Sequence, residues 1–228
     1  DLPGWGASHA DFETTIIPGN THDFAYIHGQ SLKVAGYSFV SASDEAVWDS
    51  CLDITKYKVV DLILGEEKET ATFKGQVKPD FKIFPPALQA EIGRFVKTGG
   101  SLLVSGSYIG TDLFARKDSV DIKFAQNVLK YKWVTHHAAA GGGLFATDSL
   151  LFGGQFLTRY NSGFDREIYT VEAPDAIAPV DSSGKTILRY AENSFSAGVA
   201  YAGDYQVMVL GFPFETILTE GDRDRMMS

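Results

Sequence analysis

Four short runs in this chain are nearly continuous in apolar residues, and each is bordered by glycine. Tyr37–Ser41 follows Gly36, Val59–Leu64 ends at Gly65, Ser101–Ser105 follows Gly99-Gly100, and Val207–Leu210 ends at Gly211. Runs without polar alternation predict strands covered on both faces. Helical spacing lies between them. After Pro85-Pro86, which set a first turn, Leu88, Ile92, Phe95 and Val96 recur at i, i+4, i+7 and i+8, and Gly99-Gly100 stops the helix. A second helix is expected over Ser119 to Lys130, with Val120, Phe124 and Val128 on one face. A third is expected over Asp23 to Ala35, although Gly29 interrupts it, and a last one over Thr216 to Ser228.

From Trp133 to Tyr205 the texture changes. Gln155–Tyr160, Glu167–Val171, Lys185–Ala191 and Ala197–Ala202 read as strands separated by Gly, Asn, Asp and Pro. That pattern predicts antiparallel hairpins added to the edge of a mostly parallel sheet with helices on both faces, or packed beside it. Because Val207–Leu210 returns to the buried-strand pattern, residues 1–228 read as one α/β domain with a hairpin-rich elaboration over 133–205.

Composition narrows the chemistry. The 228 residues are 44% hydrophobic and 21% charged, which suits a globular fold. With 20 basic and 29 acidic residues the net charge is −9, and no Lys/Arg cluster stands out, which argues against nucleic acid as a partner. No apolar run approaches the roughly 20 residues of a membrane span. Cys51 is the only cysteine, so an internal disulfide and a cysteine-based zinc site are excluded, and it reads as a packed thiol. The N-terminal Asp1-Leu2-Pro3 and the uncapped C-terminal helix suggest a piece with neighbouring domains on both sides.

Two stretches carry a resemblance. Leu88–Leu113 (LQAEIGRFVKTGGSLLVSGSYIGTDL) resembles the segment of class I glutamine amidotransferase-like domains that delivers a cysteine on a strand-to-helix elbow. Val207–Glu215 (VMVLGFPFE) is similar to the final strand of that family and the histidine, proline and glutamate that follow it. Together with Ile16–Gly29, Tyr57–Gly65 and Gly211–Ile217, these stretches also resemble bacterial multidomain proteins labelled xanthan lyase. The resemblance implies a flavodoxin-like sheet and a location outside the cytoplasm: secreted, periplasmic or at the cell surface. It also shows what is missing. Ser107 stands at the elbow in place of cysteine, and Pro213 stands in place of the histidine base, while Glu215 matches the family glutamate. A thiolate activated by imidazole is therefore absent, and glutaminase activity is not expected.

Ligands in such sheets bind at the carboxyl ends of the strands. That places Ser41, Glu66, Ser105, Ser107, Tyr108, Thr111, Asp112, Pro213 and Glu215 around one cleft. Ser107 has two readings: a nucleophile with helix amides nearby to hold an oxyanion, or a small residue capping the helix that starts near Gly110. The second is favoured, since a base would have to come from His9, His22, His28, His136 or His137. His136-His137 read as solvated loop residues, and His28 as either a pocket residue or a packed one. No metal-ligand set and no cofactor motif is found; Gly184-Lys185-Thr186 opens a strand rather than a helix. Tyr108, Arg159, Tyr160, Asn161 and Arg166 are the residue types a polysaccharide lyase would use.

Three functional expectations follow. The first is a catalytically degenerate module that binds a ligand, such as a glycan or cell-wall fragment, or organises neighbouring domains. The second is a serine hydrolase of deacylase or esterase type using Ser107 with Glu215 in support. The third is the lyase itself.

Overall fold

The computed structural model describes residues 24–69, 82–149, 151–165 and 168–228. Six α-helices are described: α1 (Phe24–Val34), α2 (Asp44–Trp48), α3 (Pro86–Val96), α4 (Ile109–Phe114), α5 (Ser119–Asn127) and α6 (Glu220–Met227). The strands are β1 (Val59–Gly65), β2 (Ser101–Gly106), β3 (Tyr131–Thr135), β4 (Gly143–Ala146), β5 (Leu157–Arg159), β6 (Ala176–Pro179), β7 (Gly184–Tyr190), β8 (Ser196–Ala202) and β9 (Gln206–Leu210).

Seven strands form one mixed sheet in the order β1-β2-β9-β8-β7-β4-β5, and β3 pairs with β6 in a separate antiparallel ribbon. This corrects the expected flavodoxin-like, mostly parallel sheet. Only β1-β2 and β2-β9 are parallel; β9-β8, β8-β7, β7-β4 and β4-β5 are antiparallel. The difference has a clear source. The hairpins of the 133–205 region supply four of the seven strands and continue the sheet from β9, where a fringe was expected.

The parallel half forms where the sequence pattern is strongest. Helix α3 starts at Pro86 and buries Leu88, Ile92, Phe95 and Val96; after it Gly99 takes φ +81, a left-handed value that glycine adopts without a Cβ penalty. Gly100 is needed for a second reason, because a Cβ there would lie 2.3 Å from the Phe95 ring. The chain then enters β2, whose side chains alternate between two cores. Leu102 and Val104 join Phe84, Leu88, Ile92 and Phe95 under α3, while Leu103 faces the opposite layer. In β9, Val207 and Val209 share the first core and Leu210 the second. Each fully buried Leu, Val or Phe contributes roughly 1.5–3 kcal/mol over an exposed one, so the two-sided burial of β2 and β9 anchors the sheet. The second core holds Leu144, Phe156, Tyr160, Leu188, Tyr190, Phe212, Phe214 and Ile217.

Several local expectations need correction. Tyr37–Ser41 forms no strand: Tyr37, Phe39 and Val40 are about half exposed, and the Phe39 ring leans on α1 so closely that a Cβ at Gly29 would meet its Cζ at 2.6 Å. The glycine that seemed to weaken α1 thus makes room for Phe39. Within the described part of Glu167–Val171 (residues 168–171) there is no strand. Helix α5 ends at Asn127, short of Lys130, which has φ 65, and Val120 is exposed. The C-terminal stretch breaks into a 3-10 turn, Phe214–Thr216, and α6. Cys51 is exposed, not packed.

Candidate functional site

The carboxyl ends of β1, β2 and β9 bring some of the expected residues together. Glu66 follows β1 and Ser107 follows β2. The Ser107 hydroxyl donates to Glu66 Oε1 at 3.0 Å, the Glu172 amide donates to the same oxygen at 2.8 Å, and the Ser107 amide donates to the Gly65 carbonyl. Ser107 is fully buried and Glu66 nearly so. Burial pushes the Glu66 carboxyl up to about 7, against the two hydrogen bonds that favour its charged form. Tyr108 is half-buried beside them with the Lys68 ammonium 5.5 Å from its ring centre, and burial, then Glu66, Glu172 and Asp175, raise its phenol.

The helix-cap expectation for Ser107 is overturned. The amides at the start of α4 are met by Asp175, which belongs to the segment entering β6. Asp175 Oδ2 accepts from the amides of Gly110 at 2.7 Å and Thr111 at 2.8 Å; Oδ1 accepts from the Thr111 hydroxyl at 2.9 Å and the Trp133 indole at 3.2 Å. The Asp175 carbonyl accepts from the Tyr190 hydroxyl, and its amide donates to the Gly211 carbonyl. Asp175 is fully buried, and burial raises its carboxyl to about 7 despite the four donors. Thr111, expected to line a cleft, is spent on this contact. No motif announced Asp175; it stands after Ala173-Pro174 in a loop.

Glu215 joins a different group. His28 of α1 lies between two carboxylates, with Nδ1 2.7 Å from Asp61 Oδ2 and Nε2 3.2 Å from Glu215 Oε2. The Tyr169 hydroxyl donates to Glu215 Oε1 at 2.6 Å, and the Phe214 ring is 4.6 Å from the imidazole. Burial by itself would lower the His28 pKa, but Asp61 and Glu215 together raise it to about 9. Sequence reasoning named both His28 and Glu215 without pairing them, since 187 positions separate them.

The remaining expected cleft residues scatter. Ser41 lies in an exposed extended segment. Ser105 is fully buried within β2 and its hydroxyl has no partner. Asp112 turns into the first core, accepting from the amides of Ile83 at 3.1 Å and Phe84 at 3.2 Å, with the Lys82 ammonium 3.7 Å away. Pro213 is buried and opens the 3-10 turn. His136 and His137 are exposed, with His136 stacked on Trp133; His9, His22 and Arg166 lie outside the described residues. The residues weighed for lyase chemistry also diverge. Tyr160 is buried against Phe212, the Asn161 amide is spent on the carbonyls of Ile168 and Tyr169, and Arg159 is exposed. Arg159 lines a pocket of about 370 Å³ with Leu157, Thr158, Leu218, Thr219 and Asp222. Among the described residues no group of three or more His, Cys, Asp or Glu is placed to hold a metal ion, and no helix is long and apolar enough to cross a membrane.

No family model matches the sequence, and no curated protein matches it. Solved structures do resemble it. A cytoplasmic protein of Salmonella typhimurium matches with TM-score 0.55 at 13% identity, over 88% of this chain and 83% of that one. A β-galactosidase from Bacillus circulans matches with TM-score 0.55 at 15% identity, over 90% of this chain and 25% of that one. An exo-β-1,4-mannosidase from an Opitutaceae bacterium gives TM-score 0.49 at 12% identity, over 84% of this chain and 26% of that one. The chain thus spans about a quarter of the length of each of the two glycosidases. Neither of the two structures that match with TM-score 0.55 is an amidotransferase, and no family model supports that assignment, so the resemblance to amidotransferase-like domains of xanthan lyase-type proteins is withdrawn. At these identities the likeness concerns the fold, a mixed sheet with small helices shared with part of a β-galactosidase chain.

Proposed function

We propose that this domain is a catalytically inactive module of a larger glycan- or cell-wall-handling protein, secreted or surface-attached, in which it binds ligand or organises neighbouring domains. One observation carries the reading: the groups that would run hydrolytic chemistry at the elbow are already engaged with one another. Ser107 is buried and donates to Glu66, the α4 amides that would hold an oxyanion donate to Asp175, and both ring nitrogens of His28 face carboxylates. A nucleophile needs an exposed oxygen, a base within reach and free donors for the developing charge. The glycan context draws on the β-galactosidase whose fold this chain shares in part.

The test is turnover by the 228-residue chain on chromogenic acyl esters, acetylated sugars and a panel of uronate polysaccharides, run beside binding to the same glycans followed by intrinsic fluorescence. The expected result is no turnover, either by the wild-type chain or by its Ser107→Ala variant. Ester cleavage abolished by Ser107→Ala in a folded variant would establish the serine hydrolase reading. Release of unsaturated uronates absorbing in the ultraviolet would establish the lyase.

A further inference from the structure

We propose that Asp61, Glu215 and Tyr169 form a socket for an organic cation, which the side chain of His28 fills, so that α1 is a detachable plug. Of its eleven residues only His28, Gly29 and Ser31 are buried, while Tyr26 and Val34 are 57% and 63% exposed. Phe24, Ile27 and Leu32 are half-buried, with the Phe24 ring 5.1 Å from that of Tyr169, and the imidazole is the largest side chain that the helix buries fully.

Counting protons gives the charge of that group. Neutral imidazole carries one N–H, yet both ring nitrogens of His28 lie within hydrogen-bond distance of carboxylate oxygens. The unprotonated nitrogen of a neutral ring would set a lone pair against a carboxylate. Both contacts are attractive only when the ring is an imidazolium or when one carboxyl is itself protonated. The Tyr169 hydroxyl donates to Glu215 Oε1, which leaves Oε2 to the imidazole. The Phe214 ring, 4.6 Å from the imidazole and tilted 57°, closes one side. This is the composition of a site for a protonated nitrogen base: two carboxylates, a phenol and an aromatic wall.

A second feature suits the socket to a base with more N–H groups than imidazole. Asp61 Oδ1 and the Ser31 hydroxyl are buried without hydrogen-bond partners, and so is the hydroxyl of Ser105. Asp61 pairs with Leu103 across β1 and β2, and Ser105 lies two residues beyond Leu103, on the same face. The acceptors that His28 leaves unmet are therefore on its own side of the sheet. A ligand bearing an amino or guanidinium group would satisfy Asp61 Oδ1 as well as Oδ2, which is the advantage it needs to displace α1.

Two measurements on the 228-residue chain test the socket. Ring ¹⁵N chemical shifts of His28 in the wild-type chain at pH 7 are expected to show both nitrogens protonated; a neutral tautomer would overturn the proposal. His28→Gly opens the socket, and imidazole added at pH 6 is expected to raise its Tm saturably by a few degrees. Pyrazole, of the same shape but uncharged, is expected to leave it unchanged. Equal stabilisation by both compounds would show a plain cavity, and no stabilisation of a folded variant by imidazole would show no site. Either result overturns the proposal, and if the variant does not fold, the ¹⁵N shifts decide.

Discussion

Replacing Asp175 by alanine is the most direct probe of the elbow. The substitution strips partners from four donors: the amides of Gly110 and Thr111, the Thr111 hydroxyl and the Trp133 indole. A hydrogen bond to a charged group contributes about 1.5–3 kcal/mol when fully buried, and a neutral one about 1 kcal/mol. Water can reach the half-buried Thr111 and Trp133, so their share is discounted to under about 1 kcal/mol each. Gly110 is buried and keeps the full cost. Removing the burial cost of the carboxylate returns part of this, because burial raises the Asp175 carboxyl to about 7. The net expectation is a loss of about 3 kcal/mol, somewhat above the usual range of helix-cap substitutions. For a domain of this size that corresponds to a fall in Tm of about 6–12 °C. The assay is urea unfolding followed by far-ultraviolet circular dichroism, with Trp133 emission as a local probe. Thr111→Val serves as the partner in a double-mutant cycle, and coupling of about 1 kcal/mol is expected. A loss below about 1 kcal/mol, with no coupling to Thr111, would contradict this account. The α4 amides would then be available to an anion, and the case against chemistry at Ser107 would lose its second support.

Four further outcomes are expected. His28 has a folded pKa of about 9, above its ordinary 6.5, so its contribution to stability is fully present below about pH 6.5 and is lost as pH rises through 9. Urea titrations at pH 6.5 and 9.5 should show this loss in the wild-type chain and a smaller one in His28→Gln. Glu66 is raised to about 7, so it also favours the fold at low pH, and that contribution is lost as pH rises from about 4.3 through 7. Glu66→Gln keeps an acceptor for Ser107 and Glu172 and should raise stability at pH 8 by about 1–2 kcal/mol, with no gain at pH 4. Among the glycines, Gly142→Ala is expected to abolish soluble expression, since its Cβ would stand 2.0 Å from the Tyr160 carbonyl oxygen. Gly93→Ala, in α3 with open space around it, should raise the urea midpoint, by about 0.5–1 kcal/mol in stability.

The parallel half of the fold was far more legible in the sequence than the site. Helix α3 and strand β2 carry their own punctuation, a proline start and a Gly-Gly stop, and β9 is apolar on both faces because both are largely covered, whereas β1 has the same texture although only Leu64 and Gly65 are buried in it. Tyr37–Ser41 has a similar local texture but no neighbouring strand, and strand formation needs a pairing partner that no local pattern supplies. The hairpins of 133–205 were legible as strands, and their addition to the sheet edge as one of two alternatives, because the pattern of one strand does not name its neighbour. The site was obscured for the same reason at longer range. Asp175 meets α4 across 65 positions and His28 meets Glu215 across 187, and each is a lone polar residue in an ordinary context. Ser107 was correctly placed at the elbow, but its partner, Glu66, emerges only from the register of β1 beside β2.

The place of β9 bears on how the chain is made. It is the last in chain order of the described strands, yet it sits between β2 and β8 and hydrogen-bonds to both. Until residues 206–210 have left the ribosome, the nascent chain holds two sheet fragments, each ending in an unpaired edge. Such edges recruit strands from other molecules. A truncation before Gln206 should therefore leave two sticky half-sheets in place of a shorter stable domain. Any domain that follows in a longer protein is synthesised after the residues of this central strand.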